Sequence, residues 1–213
     1  TDAALVLMAD HELAPSTLAV RVTAGTGADP WQIIATGLAA IGGVYRCFYV
    51  TGNHEFWSGR AEEIVEYVRA SGVTVLRGTG EIVEVGGARV RVCGVDDPDG
   101  LSDANWRAQF DACQASAGDG IYTILVSHRP ELHELYRDSP FDLVVCGHAH
   151  GGQVRIPFLL NGLYAPNQGW LPKYAGGRYE LGATTMIVSR GLQVYRDLPR
   201  VFNPPELTVI SIE

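Results

Sequence analysis

The sequence is short of several things, and each shortage closes a class of function. No apolar run approaches the ~18 residues that a membrane-spanning helix needs, and no charged-then-apolar signal segment opens the chain. It begins at Thr1 rather than at a methionine, so a leader removed in processing stays open. Basic residues are in deficit, with 16 Lys and Arg against 24 Asp and Glu and a formal net charge of -8. That balance argues against a surface that grips nucleic acid or anionic lipid by displacing counterions. A phosphate-bearing substrate would need local help, from metal ions or a few well-placed arginines. Cysteine is sparse too: Cys47, Cys93, Cys113 and Cys146 are scattered, and none forms a C-x-x-C pair. They read as reduced, buried small hydrophobes rather than a disulfide framework or a zinc knuckle.

What is present is ordinary globular material. The 213 residues, 46% hydrophobic and 19% charged, suffice for one main domain, or one core with an appendage. Residues 1–42 read as helix, break, helix. Ala14 to Ala24 forms the first helix, Gly25, Gly27 and Pro30 the break, and Asp29 caps a second helix with the apolar stripe Ile33, Ile34, Leu38 and Ile41. After Gly42-Gly43 the pattern changes. Tyr45 to Thr51 is a β-rich run, Ala61 to Ala70 an amphipathic helix, and Val73 to Leu76 a strand. Glu81 to Val85 and Ala88 to Val92 alternate around Gly86-Gly87 as a hairpin. A helix over about Asp103 to Ala115 precedes Tyr122 to Val126 and Asp142 to Cys146, two continuous apolar runs of buried-strand length. Pro130 to Arg137 suggests a short helix between them. In the tail, Thr184 to Ser189, Gln193 to Tyr195 and Leu207 to Ile212 read as further strands. The sum is an α/β sandwich of mixed sheets.

Four histidines, His54, His128, His148 and His150, fall at or just beyond the carboxyl ends of expected strands, where open α/β sheets gather their ligand sites. In Gly147-His148-Ala149-His150 an extended backbone would point both imidazoles the same way, toward two adjacent ions. Gly52-Asn53-His54-Glu55 adds an amide oxygen that a hard or borderline cation would satisfy. Ser127-His128-Arg129-Pro130 follows a third strand. Each motif alone reads as readily as a solvated loop or a turn. Three of them in this order, each at a strand end, do not read as coincidence.

From about Gly43 to Glu213, some four-fifths of the chain, the sequence resembles the calcineurin-like metallophosphoesterases. The branch is the one that includes YkuE-like phosphodiesterases and relatives of UDP-2,3-diacylglucosamine pyrophosphatase. The matching text is Val50-Thr51-Gly52-Asn53-His54-Glu55-Phe56-Trp57, Gly94-Val95-Asp96-Asp97-Pro98, Ser127-His128-Arg129-Pro130, Gly147-His148-Ala149-His150-Gly151-Gly152-Gln153 and Asn203-Pro204-Pro205-Glu206-Leu207. The resemblance implies a sandwich of mixed β-sheets flanked by helices, a phosphate-ester small molecule or lipid precursor as substrate, and a place in the cytoplasm or peripheral to the inner membrane. It implies that Asn53, His128 and His148 hold one metal ion, that His150 belongs to a second, and that His54 faces the substrate phosphate and protonates the leaving oxygen or stabilises its charge. Arg129 and Arg155 would add contacts to phosphate, or serve as surface ion-pair residues. Two ions, of manganese, iron or zinc, would polarise the phosphoryl oxygens and activate a water.

The resemblance stops upstream of Gly43. The D-x-H and G-D motifs that open the family and supply its carboxylate ligands are absent; before Gly43 the acids are Asp2, Asp10, Glu12 and Asp29, and Asp10-His11 is adjacent rather than alternating. Met8 to Thr17, Arg21-Val22 and Thr26 to Pro30 are instead similar to the substrate-site helices of citrate synthases, in which His11 would lie in the oxaloacetate site. The G-P-L-H-G motif due at Gly43 is replaced by Val44-Tyr45-Arg46-Cys47. The expectation is a helical appendage over 1–42 joined to a phosphoesterase domain, incomplete at its N-terminus, over 43–213. The appendage should pack on a sheet edge that the missing strands would leave bare. The functional expectation is a metal-dependent phosphoesterase impaired in this chain, holding one ion or none. Its rivals are a non-catalytic remnant and, more remotely, a citrate-synthase-like acyl transferase.

Overall fold

The structure is a computed structural model that describes residues 4–8, 46–85, 87–192 and 199–211. Two sheets organise it. The larger has six strands in the order β10-β11-β7-β6-β5-β4: β4 is Thr79–Val85, β5 Ala88–Gly94, β6 Tyr122–Val126, β7 Leu143–Cys146, β10 Gly177–Leu181 and β11 Thr184–Val188. Strands β5, β6, β7 and β11 run parallel, and an antiparallel hairpin partner closes each end. The smaller sheet has the order β1-β2-β3, with β1 Ala4–Met8, β2 Arg46–Val50 and β3 Thr74–Val75. A two-stranded ribbon, β8 (Tyr164–Ala165) and β9 (Gly169–Trp170), lies in the long connection after β7.

The apolar runs at β6 and β7 are continuous because both faces of the large sheet are covered. Leu125, Val144 and Cys146 point into one core with Trp106, Phe110 and Tyr136, while Ile124, Val126 and Leu143 share the other with Phe48 and Val50 of the small sheet and Leu76 just after β3. On the helical side stand α3 (Asp103–Ser116), capped by Ser102 Oγ accepting from Asn105 N, and the single turn α4 (His133–Tyr136). Trp106, Phe110 and Cys113 fall at i, i+4 and i+7 and form the buried stripe of α3. Two helices follow β2: α1 (Asn53–Trp57) and α2 (Ala61–Ala70), the latter burying Ile64, Val65 and Val68.

Gly94 sets the spacing between the sheets. A Cβ there would stand 2.6 Å from Val50 Cγ1 and 2.9 Å from Leu76 Cβ, so the small sheet lies directly on β5 only because this side chain is absent. That contact brings the carboxyl end of β2 beside those of β5, β6 and β7.

The expected elements meet the structure unevenly. Ala61–Ala70 and Tyr122–Val126 agree to the residue, and Cys47, Cys93, Cys113 and Cys146 are buried thiols. Strand β10 was not expected: Gly177, Arg178 and Glu180 break the apolar run, and only Leu181 of the strand is buried, with Tyr179 partly buried against the same core. The strand expected at Leu207 to Ile212 is not formed over 207–211, because Leu207, Val209 and Ile210 find no ladder partner and remain exposed. Gln193 to Tyr195 and the two N-terminal helices lie outside the described residues. Within the expected helical segment, Ala4–Met8 is a strand paired antiparallel to β2, so the edge of β2 is covered by a strand.

Candidate metal centre

Four parallel-running strand ends converge. β2 delivers Thr51, Gly52 and Asn53; β5 delivers Asp96 and Asp97; β6 delivers Ser127, His128 and Arg129; β7 delivers His148. At the middle is His128, fully buried. Its Nε2 lies 3.0 Å from Asn53 Oδ1 and 3.1 Å from His148 Nδ1. Gly52 makes room for this ring, since a Cβ there would be 3.1 Å from His128 Nε2.

The backbone around His128 is clamped. Tyr136 Oη donates to the Arg129 carbonyl at 2.8 Å and lies 2.8 Å from Ser127 Oγ, so one buried hydroxyl grips the chain on both sides of the histidine. On the β2 side, Gly52 N–H donates to Glu55 Oε2 at 2.5 Å, closing the first turn of α1 and fixing Asn53 at its start. Thr51 Oγ1 donates to Asp96 Oδ1 at 2.8 Å and accepts from Asp97 N–H at 3.0 Å, tying the ends of β2 and β5 together.

His148 does not take the extended backbone expected of it. Its φ is 62° and that of His150 is 50°, both left-handed, with Gly151 and Gly152 continuing at 63° and 66°. A left-handed turn does not alternate side chains, so the argument that the two imidazoles point the same way fails here. The non-glycine residues in this region carry backbone strain of about 1–3 kcal/mol each, a cost that structures tolerate mainly at functional sites. Close approach explains Gly151, whose Cβ would meet Asn203 Oδ1 at 2.2 Å, while Asn203 Nδ2 donates to the His150 carbonyl at 2.6 Å.

Behind His148 stands a network that the sequence did not reveal. His148 Nε2 lies 2.7 Å from Asn167 Oδ1, which also accepts from Arg129 Nη1 at 2.7 Å. Because Asn167 Oδ1 only accepts, the proton of His148 sits on Nε2 and the lone pair on Nδ1 faces His128. Arg129 is buried and fully committed. Its Nε and Nη2 donate to the two oxygens of Asp97 at 2.6 and 2.7 Å, Nη2 also reaches Asp99 at 2.7 Å, and Nη1 reaches Glu131 at 3.2 Å. Burial works against both charges and raises the Asp97 carboxyl above its ordinary value, yet the surrounding carboxylates keep the guanidinium ionised. Arg129 is therefore a bracket inside the site rather than a surface ion-pair residue, and its donors are spent on protein.

The other expected residues lie around this cluster. His54, half-buried in the first turn of α1, packs its ring 5.1 Å from that of Trp57, whose Nε1 donates to Asp99 at 3.0 Å. His150 is buried two residues beyond His148. Arg155 stands apart beside Gly176 and Arg190; burial and Arg190 together lower its pKa, and it shares no hydrogen bond with the cluster.

The donor set fits one cation. Around an ion with bonds of about 2.1–2.2 Å, donors at right angles stand about 3.0–3.1 Å apart. The spacings of His128 Nε2 to Asn53 Oδ1 and His148 Nδ1 match that edge. With Nδ1 of His148 and Oδ1 of Asn53 both acceptors, one proton on His128 Nε2 is shared between them, where a cation could serve all three. The set depends on the amide of Asn53, since among the described residues no group of three His, Cys, Asp or Glu side chains is placed to hold a metal.

Over 168 residues, 78% of this chain and 55% of the relative, the sequence is 29% identical to the uncharacterized metallophosphoesterase YkuE of Bacillus subtilis. It is 28% identical over 181 residues, 84% of this chain, to the phosphodiesterase YaeI of Escherichia coli, covering 62% of that protein. An uncharacterized metallophosphoesterase of Aquifex aeolicus is 30% identical over 170 residues, 78% of this chain and 60% of that protein. The chain thus spans little more than half the length of these relatives. Its first 47 residues match the family model of the citrate synthase C-terminal domain, a match that runs into the first two residues of β2. The mixed six-stranded sheet with its flanking helices is consistent with the fold of the first group.

Proposed function

From the premise that about four-fifths of this chain is similar to metallophosphoesterases, we propose that it is a metal-dependent phosphoesterase of reduced competence, holding one divalent ion. The observation that carries the reading is the convergence of Asn53 Oδ1 and His148 Nδ1 on His128 Nε2 at the carboxyl ends of β2, β7 and β6. Asn53, His128 and His148 would hold the ion, and Asn167 orients the His148 ring so that Nδ1 presents its lone pair. When bound, the ion supplies Lewis acidity to a phosphoryl oxygen and acidifies a water. His54, one residue beyond Asn53, delivers a proton to the leaving oxygen. Asp97 and Arg129 neutralise each other at the end of β5. Manganese, iron or zinc suits one amide oxygen with two imidazoles.

Reduced competence follows from what the chain carries. Residues 1–42 contain neither D-x-H nor G-D, the sources of bridging carboxylates in the resemblance drawn from the sequence. A phosphate ester of a small molecule or a lipid precursor is the substrate class, and a lipid precursor would bring the chain to the inner membrane. The experiment is metal analysis of purified protein beside hydrolysis of bis-p-nitrophenyl phosphate, for the natural chain and His148→Ala. One ion per chain with slow hydrolysis, both lost in the variant, is expected. Absence of bound metal would overturn the site. Two tightly held ions with rapid turnover would overturn the single-ion reading and show that residues before Gly43 supply carboxylates.

A further inference from the structure

Immediately after the metal-centre motif the chain forms two exposed turns. The first is closed by Leu159 N and Leu160 N donating to the Ile156 carbonyl at 3.0 and 2.8 Å, and it presents Phe158 and Leu159 at its tip, 111% and 82% exposed. The second lies at the end of the β8–β9 ribbon and presents Trp170 of β9 and Leu171, 73% and 66% exposed. The two turns are joined: Leu171 N donates to the Leu163 carbonyl at 2.8 Å, and Leu163 N to the Gly152 and Val154 carbonyls at 2.9 Å. The ribbon between them carries Asn167, the residue that touches His148. The apolar tips are therefore rigidly tied to the metal centre.

Two features say what covers these tips. Phe158 and Leu171 are held at φ 66° and 55°, left-handed backbone that favours Gly or Asn. Large apolar side chains at such positions are kept despite strain and despite exposure, which points to use at a surface. The second is charge. In a chain with a formal net charge of -8, the whole stretch from Leu143 to Tyr179 contains no Asp or Glu, but does contain Arg155, Lys173 and Arg178, of which Arg178 is paired with Glu180. Lys173 is exposed two residues from Leu171. The charge balance of the whole chain argues against an anionic partner, but the tips lie in an acid-free stretch whose exposed cation is Lys173. Phe158 and Leu159 stand clear of the protein surface: a bilayer admits a projecting Phe-Leu wedge between its headgroups, whereas a protein partner would need a matching groove. An aromatic indole beside a lysine is the pairing that sits at the headgroup level of a membrane.

We propose that the edge formed by Phe158, Leu159, Trp170 and Leu171 docks on the surface of an anionic lipid bilayer. The docked orientation would hold the cluster of Asn53, His128 and His148 near the headgroups. For the substrate, a lipid-borne phosphate ester, the inference rests on the phosphoesterase reading; the docking itself does not.

The test uses the whole chain in EDTA, so that binding is read without metal or hydrolysis. Vesicles of phosphatidylglycerol and phosphatidylethanolamine should pull down the protein and phosphatidylcholine vesicles should not. Brominated lipid should quench a tryptophan signal that disappears in Trp170→Phe. Phe158→Ser with Leu159→Ser should lower vesicle partitioning by about ten-fold or more, with an unchanged urea midpoint confirming the fold. No vesicle binding, or binding that the double variant leaves intact, overturns the proposal. So does a concentration-dependent dimer that the same variant dissolves, which would make a second copy the occupant. Failure of the metal analysis, by contrast, would leave the vesicle result standing.

Discussion

Asn167 Oδ1 and His148 Nε2 stand 2.7 Å apart, and this contact turns the other ring nitrogen, Nδ1, toward His128. Removing the acceptor frees the ring to change tautomer or rotate. Asn167→Ala should weaken manganese or zinc binding by about 10–100-fold, the usual cost of losing such an orienting partner. Nitrogen-15 NMR of the metal-free protein checks the cause independently, since His148 should be the Nε2–H tautomer in the natural chain and a mixture in the variant. An unchanged tautomer and affinity would show that Asn167 is only a neighbour.

The bidentate pair of Arg91 and Asp119 links β5 to the turn before β6, with both Nη–Oδ distances at 2.7 Å. The Arg91 guanidinium beside Asp119 holds its carboxyl well below the usual carboxylate range. A depressed carboxyl pKa contributes stability above the unfolded-state value of about 3.9, and that stability is lost as pH falls through the folded value. Urea midpoints should therefore fall on acidification below about pH 4, and Asp119→Asn should remove part of that dependence while lowering stability at neutral pH. Parallel pH profiles for the two proteins would contradict the assignment.

Gly94→Ala should strike the fold through the sheet-to-sheet contact. The new methyl meets Val50 Cγ1 at 2.6 Å and Leu76 Cβ at 2.9 Å, both in the packed interior, so β2 must shift. Overpacking of this kind costs about 1–3 kcal/mol. The urea midpoint should drop with an unchanged denaturant slope, and metal affinity should fall with it, because Asn53 rides on the end of β2. An unperturbed midpoint would mean that the sheets separate freely.

Legibility in the sequence tracked burial. Tyr122–Val126 could be read because both faces of β6 are covered and the run is apolar throughout, and Ala61–Ala70 because one apolar stripe repeats at helical spacing. Gly177–Leu181 was hidden because an edge strand whose core face shows only Tyr179 and Leu181 gives too short a period to read. Leu207 to Ile212 misled for the opposite reason, since β-branched residues signal a strand only where a neighbouring strand exists. At the site, Asn53, His128 and His148 were legible from their places after strands. Asn167 was not, because it joins the cluster through a long connection whose folding depends on tertiary contacts. Its one signal, an Asn in a Pro-Asn-Gln-Gly turn, is common to many loops. The left-handed backbone at His148 and His150 escaped the reading because neither residue type demands it.

His54 offers the sharpest separation between binding and chemistry. It lies beside Asn53 in α1, with its ring packed against Trp57, and no role in holding the cation is proposed for it. Loss of the imidazole should leave metal content unchanged while removing the proton donor for the leaving oxygen. A nitrophenolate departs readily without protonation, whereas an alkoxide does not. His54→Ala should therefore slow hydrolysis of bis-p-nitrophenyl phosphate by less than about 10-fold, but slow an alkyl phosphodiester by about 10²–10⁴-fold. His148→Ala should abolish both, together with the bound ion. If His54→Ala slows the two substrates equally and retains its metal, the residue positions substrate and the acid is elsewhere. If it loses the ion, His54 belongs to the cation site, and the division of labour across Asn53 and His54 must be redrawn.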